Sequence, residues 1–116
     1  MLVKSVVLLF SALISFSATA EMKVSDNTKV VFVAVNGGTD SANPGTSCIK
    51  VSSAVSSSCD SGYIAIPNNN KALLSASLQA KATNTNVWLN YNSAAVKQHC
   101  PGLVFTNCTV SSIALK

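Results

Sequence analysis

The sequence predicts one small β-rich α+β domain, in which five short strands and a single helix follow one another in the order β-β-β-α-β-β. Short runs of β-branched and aromatic residues, separated by turn-forming residues, predict the strands. One stretch of strong helix formers, residues 71–82, interrupts them after the third strand. Five short strands with one helix favour a small, partly closed barrel of the OB type. The alternative is an open α+β sandwich with the helix across one sheet.

Three strands are predicted before the helix. The run 28-TKVVFVAV-35 is β-branched and nearly all apolar, which is typical of a central strand or one buried on both faces. A loop rich in Gly, Asn, Ser and Pro follows it, to residue 45. The alternating run 47-SCIKVSS-53 predicts the second strand, and 62-GYIAIP-67 predicts the third, which proline ends.

The helix is predicted from Lys71 to about Ala82. Asn69 or Asn70 can cap it, because a short amide side chain accepts hydrogen bonds from the free N–H groups of the first turn. Its apolar face is expected to contain two leucines four residues apart and three neighbours: Leu74 and Leu78, with Leu73, Ala76 and Ala80.

The strand after the helix contains the only tryptophan of the chain. Alternation in 87-VWLNY-91 predicts Val87, Leu89 and Tyr91 on one face and Trp88 and Asn90 on the other. We expect Trp88 to lie in a core or a subunit interface. A loop follows, and 103-LVFTNCTVSSIAL-115 supplies one or two closing strands.

The first twenty residues predict a secretory signal peptide, which leaves a single secreted or periplasmic domain over residues 21–116. A basic start precedes the apolar run 5-SVVLLFSALISF-16, and Ala18-Thr19-Ala20 fits a cleavage site. The alternative, a membrane anchor, needs about 18 to 20 apolar residues, so we expect no membrane span. The remaining seven lysines and four acidic residues give +3 with no basic cluster, which argues against nucleic acid as a partner.

Four cysteines follow the signal peptide: Cys48, Cys59, Cys100 and Cys108. An even number in an exported chain predicts disulfide bonds, and four cysteines allow three pairings. We favour Cys48–Cys59 with Cys100–Cys108, because each pair brackets a short polar segment that resembles a turn. A zinc site is the alternative, but the spacings do not suit it and the chain has one histidine. We therefore expect neither a metal nor another cofactor.

The residues predict a binding module with no catalytic residues, so we do not expect an enzyme. His99 adjoins a cysteine that is expected to be oxidised, and no serine stands in G-x-S-x-G. A surface rich in Asn, Ser and Thr, with a few aromatic residues, suits a sugar ligand. The alternative is a periplasmic or surface interaction protein, such as an inhibitor-type domain, that has no sugar site.

The layout of the chain resembles the receptor-binding B subunits of bacterial five-subunit toxins, of the subtilase-cytotoxin and typhoid-toxin type. The resemblance rests on four features: the segment 30-VVFVAVNGGTDSANPGTSCIK-50 with Cys59 soon after it, the helix KALLSASLQAKATNT, the strand VWLNY, and the later pair Cys100 and Cys108. It covers nearly all of residues 21–116.

The resemblance implies an OB-type barrel, a homopentameric ring, a sialylated cell-surface glycan as ligand and a separate toxin A chain as partner. It also implies two local disulfide bonds. By position, it assigns ligand binding to Thr28, Ser53 and Tyr91, with Asp26 as a looser match. The chain departs from the family pattern at Ser47 and in the segments 62–70 and 92–100.

Overall fold

The structure is a computed structural model that describes residues 21–37, 45–102 and 104–116. The predicted signal peptide lies outside the described residues. Seven strands, one α-helix and one short 3-10 helix (Asp60–Gly62) are present in these segments. The strands and the α-helix are β1 (Met22–Ala34), β2 (Thr46–Val51), β3 (Ile64–Pro67), α1 (Lys71–Thr83), β4 (Asn86–Asn92), β5 (Gln98–Cys100), β6 (Val104–Thr106) and β7 (Thr109–Leu115).

Five strands form a closed barrel in the order β1-β2-β3-β7-β4, with β1 also paired to β4. The β3–β7 pairing is parallel, and the other four pairings are antiparallel. The prediction of a β-rich α+β chain with a five-stranded sheet and one helix is confirmed. The run 103–115, predicted to supply one or two strands, contains β6 and β7, whereas β5 was not predicted; β5 and β6 pair only with each other in a two-stranded sheet.

Strand β1 runs along both neighbours and therefore must bend. It begins six residues before the predicted start, and its pairing shifts from β4 at its first half to β2 at its second. A register shift lies between Ser25, opposite Leu89, and Thr28, opposite Val87. Two residues, Asp26 and Asn27, thus stand opposite Trp88 alone. Such a β-bulge increases the local twist, which helps a sheet curl into a barrel.

Strand β4 shows the alternation that its sequence predicts. Val87 and Leu89 are fully buried and Tyr91 is 3% exposed, while Trp88 and Asn90 are only partly buried. The inward side chains join those of the other barrel strands, with Val30, Ile49, Ile64, Ile66 and Val110 among them. Burying one such aliphatic side chain contributes about 1.5–3 kcal/mol, so this interior is the main stabilising cluster.

The helix begins and ends where its sequence indicates. The side chain of Asn70 accepts a hydrogen bond from the backbone N–H of Leu73 at 3.4 Å, and Asn84 ends the helix in the left-handed conformation at φ 53°. The predicted apolar face is partly wrong. Leu73 and Leu74 pack on the core, but Ser77 and Ala80 are the buried residues and Leu78 is 44% exposed. The buried face differs from the predicted one because the helix contacts the core through Leu73 and Leu74 of its first turn and through the small residues Ser77 and Ala80.

The predicted disulfide pairing is wrong. The bridges join Cys48 to Cys100 and Cys59 to Cys108, with sequence separations of 52 and 49 residues. The predicted pairing assumed that the segments 48–59 and 100–108 each form a turn that brings their own two cysteines together. Instead, β5 lies beside β2 and the start of β7 lies beside β3, so the barrel brings distant cysteines together. The two bridges cross in sequence.

The β5–β6 hairpin lies on the outer surface of β2 and β3. The Cys48–Cys100 bridge fixes it there, and the hydroxyl of Thr106 donates a hydrogen bond to the carbonyl oxygen of Tyr63 at 2.7 Å. This bridge and Ala65 form a second, smaller apolar cluster, against which Tyr63 and Val104 pack. Within the described residues, no helix has the length and apolar character needed to cross a membrane.

Candidate functional site

Three hydroxyl groups meet where β1 adjoins the end of β2. The Ser53 hydroxyl donates to Thr28 Oγ1 at 2.8 Å, and the Ser53 backbone N–H donates to the same oxygen at 3.1 Å. Ser52 Oγ lies 3.2 Å from Thr28 Oγ1 and accepts from the backbone N–H of Lys29 at 3.0 Å. Thr28 is 2% exposed, whereas Ser52 and Ser53 are exposed. We call these three residues the hydroxyl cluster.

The directions of these hydrogen bonds decide what the hydroxyl cluster offers to a ligand. A hydroxyl oxygen has one hydrogen to donate and two lone pairs to accept with. Both lone pairs of Thr28 Oγ1 are used by Ser53, so the Thr28 hydrogen points to Ser52 Oγ. Ser52 Oγ then accepts two hydrogen bonds, from Thr28 Oγ1 and the Lys29 N–H, and its own hydrogen is left to donate. Ser53 Oγ donates its hydrogen to Thr28, so its lone pairs are left to accept. The exposed edge therefore presents one donor beside one acceptor.

Tyr91 does not join the hydroxyl cluster. Its ring belongs to the barrel core, and its hydroxyl oxygen accepts a hydrogen bond from the backbone N–H of Ser56 at 3.0 Å. Tyr91 therefore faces the interior, where it anchors the loop after β2, and presents almost no surface to a ligand. The expectation that its ring faces a ligand is not met by this position, because the inward face of β4 is the core face.

Asp26 makes no described hydrogen bond to the hydroxyl cluster, although it stands two residues before Thr28 in β1. It is exposed, stands in the β1 bulge opposite Trp88, and has no ion-pair partner among the residues that the structure describes. Of the four predicted ligand residues, the structure thus brings only Thr28 and Ser53 into contact. Ser52 was missed, although a second serine beside Ser53 at a strand end was a visible signal.

Aromatic residues and lysines pair on the outer surface at two places that the sequence did not indicate. Lys50 Nζ lies 4.9 Å from the ring centre of Tyr63, and Phe32 meets the same ring edge to face at 5.8 Å. On the hairpin, His99 stacks on Phe105 at 4.5 Å. Lys97 Nζ lies 5.6 Å from the Phe105 ring centre. Such cation–π pairs order exposed side chains and are each worth about 0.5–1 kcal/mol.

The described residues hold no group of three or more His, Cys, Asp or Glu side chains that could bind a metal ion. All four cysteines are in bridges, so none is a free thiol. The hydroxyl cluster itself lacks a base: its hydrogen-bond partners are hydroxyl groups and backbone N–H groups. A serine without an adjacent base is a poor nucleophile.

Comparison of the chain with protein families, with characterised proteins and with solved structures finds no match in any of the three.

Proposed function

We propose that the protein is an exported, non-catalytic recognition module that binds a sialylated glycan through the hydroxyl cluster. The observation that carries the proposal is the exposed donor of Ser52 beside the exposed acceptor of Ser53, both fixed by buried Thr28. A carboxylate or hydroxyl of a sugar can accept from the first, and a sugar hydroxyl can donate to the second. Because the cluster is already ordered, little entropy is lost there on binding.

An OB-type barrel is part of the same proposal. The order β1-β2-β3-β7-β4, the parallel β3–β7 pair and a helix between β3 and β4 support it. The two crossed bridges support an oxidising destination, because disulfide bonds persist outside the cytosol. In the toxin-like version of the proposal, five copies form a ring and carry a separate A chain.

A specific observation favours a second candidate, an envelope or surface interaction protein without a sugar site. Thr28 and Tyr91 are 2% and 3% exposed, so half of the predicted pocket offers no accessible surface. In this version, the hydroxyl cluster only ties the end of β2 to β1. Replacing Ser52 or Ser53 would then change stability without changing recognition.

A glycan array probed with the purified protein, followed by calorimetry with sialyllactose, separates the two candidates. We expect a sialoside signal that Ser52→Ala and Ser53→Ala each weaken by about tenfold, the effect of losing a good hydrogen bond. Ser57→Ala is the control, because Ser57 is exposed on the same loop outside the cluster. The absence of any sialoside signal, with monomeric elution on a sizing column, would refute the glycan and pentamer proposals together.

A further inference from the structure

Trp88 is the largest side chain of the outer barrel surface, and it is not part of either apolar cluster. It stands on the outward face of β4 between Asn86 and Asn90, two residues away on each side. Side chains two apart on a strand lie on the same face. The indole is partly exposed and flanked by two amides along its own strand.

The Trp88 ring has no partner among the described residues. Phe32, Tyr63 and Phe105 are each engaged by another ring or a lysine, whereas Trp88 has no stacking, cation–π or hydrogen-bond contact in residues 21–37, 45–102 and 104–116. An indole combines a large apolar face with one N–H donor, which is usually satisfied when the ring is covered. Here the indole is partly exposed, and no described ring, lysine or hydrogen-bond partner occupies it.

The strands on either side surround this ring with small and polar groups. On the β1 side, the bulge places Asp26 and Asn27 opposite Trp88, and both are exposed. On the β7 side, Ala114 is opposite the ring and is too small to cover it. Ser112 is opposite Asn90, so a hydroxyl and an amide lie next to the indole on that side.

The Asn90 amide has incomplete hydrogen bonding in the free chain. Its Oδ1 is covered by neighbouring side chains and has no hydrogen-bond partner in the described part of the protein. An unsatisfied covered acceptor is unfavourable, so a turn of this side chain towards an incoming hydroxyl group is favourable. Asn90 stands two residues from Trp88 on the same face of β4.

We propose that Trp88, with Asp26, Asn27, Asn90 and Ser112, forms a binding site for the ring face of a neutral saccharide. The C–H face of a sugar packs on the indole, and its hydroxyl groups bond to the surrounding carboxylate and amides. A neutral ligand fits because the nearest charges are of both signs: Asp26 and Lys29 on β1, and Lys116 beside Asn86. The site shares no residue with the hydroxyl cluster, although Asn27 adjoins Thr28 in β1, and it does not depend on sialoside binding there.

The test uses the emission of Trp88, which is the only tryptophan of the chain. We expect cellotetraose, maltotetraose or chitotetraose, at millimolar concentration, to shift the emission of the purified protein. Sialyllactose, the acidic counterpart, is expected to leave it unchanged. Asp26→Ala, which removes the carboxylate acceptor, should weaken the binding of the neutral oligosaccharide by about threefold to tenfold, the usual loss for one hydrogen bond. Phe105→Ala, an exposed aromatic on the hairpin, is the control and should bind normally.

Calorimetry with Trp88→Phe and Trp88→Ala gives a second readout that does not use fluorescence. Trp88→Phe keeps an aromatic face and should bind more weakly, and Trp88→Ala should not bind. Trp88→Phe should keep the native thermal midpoint within a few degrees, because an aromatic ring remains and the position is outside the core clusters. No emission shift with any of the three neutral oligosaccharides would overturn the proposal. Emission that instead changes with protein concentration would also overturn it, because a second copy would then cover the ring.

Discussion

The crossed disulfide bonds allow a quantitative prediction about stability. In the chain-entropy description, a bridge that closes a loop of about 50 residues stabilises the fold by about 4 kcal/mol. Once the Cys59–Cys108 bridge is present, the shortest path between Cys48 and Cys100 is far shorter. It runs from Cys48 to Cys59, a sequence separation of 11, across the second bridge, and from Cys108 back to Cys100, a sequence separation of 8. Closing this loop of about 19 residues stabilises the fold by a further ~3 kcal/mol.

The paired change Cys48→Ser with Cys100→Ser should therefore lower the free energy of unfolding by about 3 kcal/mol. Cys59→Ala with Cys108→Ala should lower it more, because Cys59 and Cys108 also belong to the main core. Removing both bridges should cost about 7 kcal/mol in this description, which is comparable to the whole stability of a small domain. Urea unfolding of the oxidised variants, followed by circular dichroism, measures all three values.

Tryptic mapping without reduction tests the connectivity itself. Trypsin cleaves after lysine and gives three cysteine-containing peptides. Cys48 is in peptide 30–50, Cys59 is in peptide 51–71, and Cys100 and Cys108 are both in peptide 98–116. The crossed bridges hold these three peptides together as one species. Further cleavage at Phe105 separates Cys100 from Cys108 and should give the pairs 48 with 100 and 59 with 108. Recovery of 98–116 as a free, internally bridged peptide would refute the structure and the calculation together.

Three further changes test individual contacts, each by urea unfolding. Tyr91→Phe removes the acceptor for the Ser56 backbone N–H and should destabilise the fold by about 1 kcal/mol; an unchanged midpoint would mean that this hydrogen bond is absent. Ser77→Ala should stabilise the fold by about 1–2 kcal/mol, because the buried Ser77 hydroxyl has no partner among the described residues. The control is Ser75→Ala, an exposed position on the same helix, which should stabilise the fold by only about 0.5 kcal/mol through helix propensity. Asn84→Gly should be neutral or stabilising by up to about 1 kcal/mol and Asn84→Ala destabilising, because φ is 53° there; equal midpoints for the two would contradict the left-handed cap.

Strand β4 and the helix could be predicted from the sequence because their faces and ends depend on residues close together in the chain. The alternation in Val87–Tyr91 gave the faces of β4 correctly, and Asn70 and Asn84 mark the ends of the helix. Strand β5 was missed because Gln98, His99 and Cys100 carry no β-branched residue, and their extended form depends on pairing with β6 and on a bridge to β2.

The candidate site was less predictable because its properties depend on burial and on hydrogen-bond direction. Thr28 and Ser53 were placed together by resemblance, but spacing could not show that Thr28 is covered and Ser52 is its third partner. Tyr91 was expected at a ligand and lies in the core. The surroundings of Trp88 depend on a one-residue shift in the β1–β4 register, which no pattern within β1 reveals.

The crossing of the two bridges also matters for how the chain matures. A polypeptide delivered amino terminus first exposes Cys48 and then Cys59 long before their native partners at Cys100 and Cys108. An oxidase that joins thiols in order of arrival would link the first two cysteines to each other. Reaching the native pairs then requires thiol–disulfide exchange, by attack of a free thiolate on the wrong bond. Production of this protein should accordingly depend on a disulfide isomerase, or on oxidation that is delayed until the barrel has closed.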